Sequence, residues 1–216
     1  MRIALIGMAG SGKSYWSKRL KDVGFIRFCC DDMIAQRLRW EITQAGFDEG
    51  AVAEWMGFPY EQHYRDRERR YLECERQVME EILEQISENQ IPSDSDIVID
   101  TTGSVIYVGD DILRELRRYV NFVLLSTPPE VQERLLSDYI SKPHPMVWRD
   151  FFDQRPGESP LHAMKRSYPR LFEARRILYE KYADLCIDYY ERRSKGFDAL
   201  EFIRRIRNMA KEDKKQ

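Results

Sequence analysis

The chain has 216 residues, 43% of them hydrophobic and 33% charged, and a formal net charge of −2. That length suits one α/β domain burying about 70% of its unfolded surface, and the near-neutral balance excludes a global field that would draw it to nucleic acid or an anionic membrane. No apolar run approaches the roughly 20 residues that span a bilayer. No signal-like segment precedes the first strand. Cys29, Cys30, Cys74 and Cys186 contain no C-x-x-C pair, so buried thiols in a reducing cytoplasm are expected rather than a disulfide framework or a zinc site.

Arg2 to Ile6 is short, apolar and reads as a strand. It runs into Gly7-Met8-Ala9-Gly10-Ser11-Gly12-Lys13-Ser14, a complete G-x-x-x-x-G-K-[ST] phosphate-binding loop. A helix follows through Tyr15 to Lys21, with Trp16 and Leu20 on one face, which supplies the strand–loop–helix context the motif needs. Its glycines let backbone N–H groups turn inward, and the helix adds unpaired donors and the positive end of its dipole. Lys13 would reach the β- and γ-phosphates of a nucleoside triphosphate, and the Ser14 hydroxyl would ligate Mg²⁺.

Phe25 to Phe28 reads as a second strand ending at Cys29-Cys30-Asp31-Asp32, with a helix from Met33 to Ala45. Residues 46–59 are rich in glycine and aromatics and read as a loop or insertion. A long charged helix runs from Glu61 to Asn89, followed by a turn at Pro92 to Ser95. Asp96 to Asp100 is the best strand in the middle of the chain and ends in Thr101-Thr102-Gly103-Ser104. A helix capped by Asp110, a strand at Phe122 to Leu125 and a helix begun by Pro128-Pro129 come next. Five residues, Pro143, Pro145, Pro156, Gly157 and Pro160, exclude one regular helix over 137–160, which reads as a lid. A helix kinked near Pro169 reaches Lys181, and a strand at Asp184 to Asp188 follows. The chain closes with an amphipathic helix from Phe197 to Met209 and a polar tail, 211–216.

Strands alternating with helices, mostly as continuous apolar runs, predict a parallel sheet of about five strands covered on both faces, an α/β/α sandwich within one unit spanning 1–210. Ligands collect at the carboxyl ends of such strands. There the sequence puts Asp31 and Asp32, either a base for an acceptor hydroxyl or a helix cap, and Asp100, placed to reach a Mg²⁺ shell. Cations for a transferring phosphoryl are offered by Arg65, Arg175, Lys142 and Arg149.

In this order the motifs resemble shikimate kinase and its relatives among the P-loop small-molecule kinases. Asp31 matches the second of that family's paired aspartates. Tyr64-Arg65-Asp66-Arg67-Glu68 is similar to its Phe-Arg-x-x-Glu stretch, Gly103-Ser104-Val105 to the end of its glycine-rich loop, Lys142-Pro143 to its lid Arg-Pro, and Arg175 to Asp184 to its Arg-Asn-Pro-Leu-Tyr-x-x-x-Ala-Asp stretch. The resemblance implies a P-loop NTPase fold of the nucleoside monophosphate kinase-like type with a lid, substrate-side helices over 31–89, and ATP and Mg²⁺ as cofactors. By it, Lys13 and Asp31 are catalytic. Gly7, Gly10, Ser11, Gly12, Lys13, Ser14, Tyr15, Arg134 and Lys142 bind nucleotide. Asp31, Arg65, Gly103 and Arg175 bind an acceptor carboxylate or its ring. Ser14 and Asp100 hold the metal, with Asp32 as the alternative.

Two departures redirect the expectation. Cys29 stands where the family's first aspartate lies, and a thiol is a poor Mg²⁺ ligand. Thr101-Thr102 replace a glycine pair that approaches the substrate ring, which predicts weak shikimate use. The reading is an ATP-dependent kinase that phosphorylates a hydroxyl of a small, carboxylate-bearing metabolite, as a monomer or small homo-oligomer without nucleic-acid or membrane partners. A nucleoside or nucleotide kinase, and a nucleotide-binding regulatory module without acceptor chemistry, are the alternatives.

Overall fold

In a computed structural model, which describes residues 1–142 and 144–213, five strands form one parallel sheet in the order β2-β3-β1-β4-β5. They are β1 (Arg2–Ile6), β2 (Ile26–Cys29), β3 (Ile97–Asp100), β4 (Asn121–Leu125) and β5 (Leu185–Ile187). β1 lies at the centre, paired with β3 and β4. Its residues are buried on both faces, as a strand covered by helices on each side must be.

Alternate residues sort the two layers. Ala4, Ile6, Ile97, Ile99, Phe122 and Leu124 face the larger core, built from α2 (Cys30–Gln44), α4 (Tyr64–Ser87), α5 (Asp110–Leu116) and α7 (Pro160–Tyr182). Ile3, Leu5, Val98, Val123 and Leu125 face the smaller one, built from α1 (Lys13–Asp22) and α8 (Ala199–Asp213). There Trp16 stacks on Phe202 with ring centroids 4.8 Å apart. Each such large side chain contributes roughly 1.5–3 kcal/mol by leaving water.

The expected α/β/α architecture and all five strands are present. Boundaries differ where local chemistry or packing overrides propensity. α2 starts at Cys30 rather than Met33, so Asp31 and Asp32 sit in its first turn, where negative charge suits the helix dipole. The 46–60 insertion contains a short helix, α3 (Val52–Met56), whose Val52, Trp55 and Met56 are buried. α6 (Gln132–Ser141) carries helix into the stretch expected as lid. α7 runs unbroken through Pro169, started by Pro160 and by Ser159, whose hydroxyl accepts from His162 N at 3.3 Å. The first residues of the expected polar tail are helical, since α8 continues to Asp213. Among the described residues no helix is long and apolar enough to cross a membrane.

Register decides what meets at the sheet's carboxyl edge. Cys29 and Leu5 both pair with Asp100. The loops leaving β1, β2 and β3 therefore open onto one cleft.

Candidate active site

The loop from Gly7 to Gly12 turns between β1 and α1 through glycines with φ of +141° at Gly7, +78° at Gly10 and +102° at Gly12. Gly7 has a second reason to lack a side chain, because a Cβ there would lie 2.8 Å from the Leu125 carbonyl oxygen. Lys13 opens α1 and folds back over the loop, donating from Nζ to the carbonyls of Gly7 (2.8 Å) and Met8 (3.1 Å). Burial pulls its pKa down to about 8, with the charges of Asp31 and Asp100 pulling the other way. A polyphosphate in the loop would supply the anion this ammonium lacks.

Asp100 ends β3 and is fully buried. Its carboxylate accepts from the Ser14 hydroxyl at 3.3 Å, the Ser17 hydroxyl at 2.8 Å and Arg27 Nη2 at 2.5 Å. Ser14 and Asp100 thus bring two hard oxygen donors together beside the phosphate loop, the kind of sparse protein set on which Mg²⁺ relies when phosphates complete its shell. Asp32 lines the cleft one position along α2 from Asp31. Cys29 is half-buried, its thiol pushed up to about 11 by desolvation, and it accepts from Arg27 Nη2 at 3.2 Å. A neutral thiol engaged with a guanidinium is no magnesium ligand.

The cleft, from the phosphate loop past Lys13, has a volume of about 580 Å³. Asp31 faces it from α2, Thr101, Thr102 and Gly103 from the end of β3, Val52 and Glu54 from α3, Tyr71 from α4, and His144 from the segment after α6. Protein surrounding Asp31 raises its pKa, opposed by Lys13. Thr101 and Thr102 do line the cavity where a glycine pair would have left space, but their hydroxyls turn away from it. Thr101 donates to the Leu5 carbonyl at 2.6 Å, and Thr102 donates to Glu75.

Glu75 is one residue that sequence reading missed. It is completely buried on α4, its other carboxylate oxygen has no hydrogen-bond partner, and desolvation lifts its pKa to about 7. Its signal was available. It follows Tyr71 by four residues, inside the apolar stripe of the long helix. Because the folded state holds this proton more tightly than the unfolded chain, protonation of Glu75 stabilises the fold in full below about pH 4.5, and that contribution is lost as pH rises from there through 7. Glu75→Gln keeps the acceptor for Thr102 and removes the buried charge. We expect the unfolding free energy of wild type, read from urea titrations, to fall between pH 5 and 8 by on the order of 3 kcal/mol more than that of the variant. Parallel curves would contradict this.

Other expected site residues do not line the cleft. Arg65 is exposed on α4 and does not line the cleft, because Tyr64 and Glu68, four apart, take the inward face. Those two instead hold the chain after α6. Tyr64 Oη lies 2.7 Å from both Glu68 Oε1 and the Met146 carbonyl, and Trp148 N and Arg149 N donate to Glu68 Oε1 at 2.6 and 2.9 Å. With Trp148 fully buried against Tyr139, Phe152 and Tyr168, the central part of the expected lid is a pinned wall. Pro143 lies outside the described residues. Lys142 is exposed at the end of α6, and Arg149 sits 5.7 Å over the Tyr107 ring. Neither lines the cleft.

Arg175 is buried on α7, donates to the Val147 carbonyl and stands beneath Gly103, whose added Cβ would be 3.4 Å from Nη1. Arg134, exposed on α6, donates to the Tyr189 hydroxyl. A second missed residue, Arg192, is buried and donates from Nη1 to Ile187 O (2.9 Å) and from Nη2 to Ser11 O (3.2 Å) and Ser126 O (2.5 Å), tying the phosphate loop to β4 and β5. Beside it Tyr15, Trp16, Arg193 and Phe197 line a neighbouring cavity of about 350 Å³ on the loop's outer side.

No protein-family model matches the chain, and no curated protein matches it by sequence. Solved structures do match its fold. Shikimate kinase from Acinetobacter baumannii, in complex with shikimate, aligns with a TM-score of 0.58 at 18% identity, covering 99% of this chain and 94% of that one. Shikimate kinase from Bacteroides thetaiotaomicron aligns at 0.57 and 19%, covering 98% of each. That from Aquifex aeolicus aligns at 0.56 and 19%, covering 97% and 98%. The chain therefore has a P-loop kinase fold of the shikimate kinase-like type, end to end.

Proposed function

We propose that this protein is an ATP-dependent kinase that transfers the γ-phosphoryl group to a hydroxyl of a small molecule. The observation that carries the reading is that Lys13 of the phosphate loop and Asp31 of α2 line one open cleft, with charges close enough to influence each other. Phosphoryl transfer demands positioning and charge neutralisation more than covalent chemistry.

In the proposed mechanism the backbone donors of Gly10 to Ser14 cradle the polyphosphate and Lys13 pairs with the γ-phosphoryl oxygens. The acceptor hydroxyl lies against Asp31. As its oxygen bonds to the γ-phosphorus and the bond from that phosphorus to the β–γ bridging oxygen breaks, the hydroxyl proton passes to the Asp31 carboxylate, whose raised pKa suits it to receive one. Ser14 and Asp100, with Asp32 near, would hold Mg²⁺, which neutralises charge building on the leaving diphosphate. Arg192 keeps the loop in register with the sheet, and the cavity beside Tyr15 and Arg193 is offered to the nucleoside.

The low net charge and the free cysteines fit a cytoplasmic enzyme acting on a small molecule, as a monomer or small homo-oligomer without nucleic acid. Acceptor-dependent release of ADP from MgATP tests the reading. We expect release to rise with a cognate hydroxyl compound. Calorimetric ATP binding without any acceptor-stimulated release would favour the regulatory module.

A further inference from the structure

Arg27 approaches the phosphate end of the cleft from the edge strand β2. Arg27 pairs with Val98 and Cys29 pairs with Asp100, so both side chains share with Asp100 the sheet face that carries α1. Nε of Arg27 donates to the Ser17 hydroxyl at 2.8 Å, while Nη2 donates to Asp100 Oδ2 at 2.5 Å and to Cys29 Sγ at 3.2 Å. The Asp100 side chain is fully buried and that of Arg27 only 13% exposed, so water screens the pair weakly. A buried ion pair often stabilises a fold no more than an apolar replacement would. Stability alone therefore gives no reason for this one, whereas its place beside Ser14 does.

An ionised carboxylate offers about four acceptor positions on its two oxygens. Those of Oδ2 are filled by Ser17 and Arg27, and the Ser14 hydroxyl is the partner of Oδ1. Among the described residues no three His, Cys, Asp or Glu side chains gather as a metal cluster. A divalent cation at Ser14 and Asp100 thus finds one carboxylate oxygen, on a group already balanced by a permanent positive charge, and Lys13 adds a second positive charge nearby. Resting on the kinase reading and on Mg²⁺ at Ser14 and Asp100, we propose that Arg27 is a positioning residue for the metal. It holds Oδ2, leaves Oδ1 toward Ser14 and offsets the carboxylate charge, so that a divalent cation enters with the nucleotide and not alone. The polyphosphate then supplies the negative charge and the oxygens that a single balanced carboxylate lacks. Metal and triphosphate arrive as one complex.

Mn²⁺, a hard octahedral ion whose binding is read by electron paramagnetic resonance, tests this on the full chain without turnover. Wild type titrated with Mn²⁺ alone should show no saturable site that depends on Asp100, judged against Asp100→Asn, and should gain one when ADP is added. Arg27→Gln keeps donors and drops the charge, and it should bind Mn²⁺ alone tenfold or more tighter than wild type. Arg27→Met should do the same. Arg27→Lys keeps the charge and should stay within threefold of wild type. Adding Asp100→Asn to Arg27→Gln should abolish the gain. A merely structural arginine would lower stability in these variants without raising metal affinity. A nucleotide-free Mn²⁺ site in wild type that disappears in Asp100→Asn would overturn the proposal whatever the variants do. So would unchanged or weaker Mn²⁺ binding in the neutral variants, a gain that survives Asp100→Asn, or a lysine variant that behaves as the neutral ones do. ADP that binds without bringing Mn²⁺ to the protein counts against Arg27's role alone; no ADP binding with either Mn²⁺ or Mg²⁺ counts against the kinase reading itself.

Discussion

Lys13→Ala is expected to lower phosphoryl transfer by about a thousandfold or more while the protein stays folded. The lysine contributes little to the fold, because burial makes its charge costly and its two contacts are to loop carbonyls beside the cleft that water can satisfy in its place. Its value appears only when phosphate oxygens replace those carbonyls. A linked effect follows from its pKa of about 8. Bound phosphates favour the charged form, so nucleotide binding at pH 8 should take up about half a proton, with uptake falling at pH 6.5 where the lysine is already charged. Calorimetry in buffers of different ionisation enthalpy reads this directly, and the variant should lose it. Wild-type rates in Lys13→Ala, or equal proton uptake, would remove the lysine from the phosphate site.

Asp31→Asn is expected to lower kcat by about 10²–10⁴-fold, the range for a lost general base, with ATP affinity within about threefold of wild type. The split matters because a structural role would move both. The carboxylate works only when ionised, and burial raises its pKa. Wild-type kcat should therefore fall as pH drops through that raised value, and the variant should lack this acid limb. Stopped assays across pH with saturating acceptor would show it. A nearly neutral Asp31→Asn beside an inactive Asp32→Asn would shift the base by one residue along α2.

Chemistry that is local in the chain was legible from residues alone. The phosphate loop, the five strands and the edge position of Asp31, Asp100 and Gly103 follow from glycine spacing, apolar runs and the rule that α/β ligands gather at strand ends. What escaped depends on phase and on distant partners. Arg65 follows Tyr64 by one residue, and one residue on a helix is about 100° of rotation, enough to take the guanidinium from the cleft wall to solvent. Glu75 reads as one charge among many in a charged helix until Thr102 comes to meet it from β3. Arg192 touches the loop only because the chain returns after more than a hundred residues to place it under Ser11. The pinned wall at Trp148 likewise rests on Glu68, which the Tyr64 to Glu68 stretch marks without naming its partner 80 residues away.

Thr101 and Thr102 illustrate the same limit. Their bulk narrows the cleft as the sequence suggests, while their hydroxyls serve the sheet and Glu75 instead of a substrate. Any selectivity that these two residues lend a kinase would come from their bulk rather than from new hydroxyl contacts.

The central claim is phosphoryl transfer to a hydroxyl, and single-turnover transfer of label from γ-labelled ATP tests it most directly. Under the account, label moves to a phosphate ester of an acceptor, at a rate that falls sharply in both Lys13→Ala and Asp31→Asn. Label that stays in ATP, or appears only as inorganic phosphate across a series of hydroxyl compounds while ATP binds normally, would contradict it.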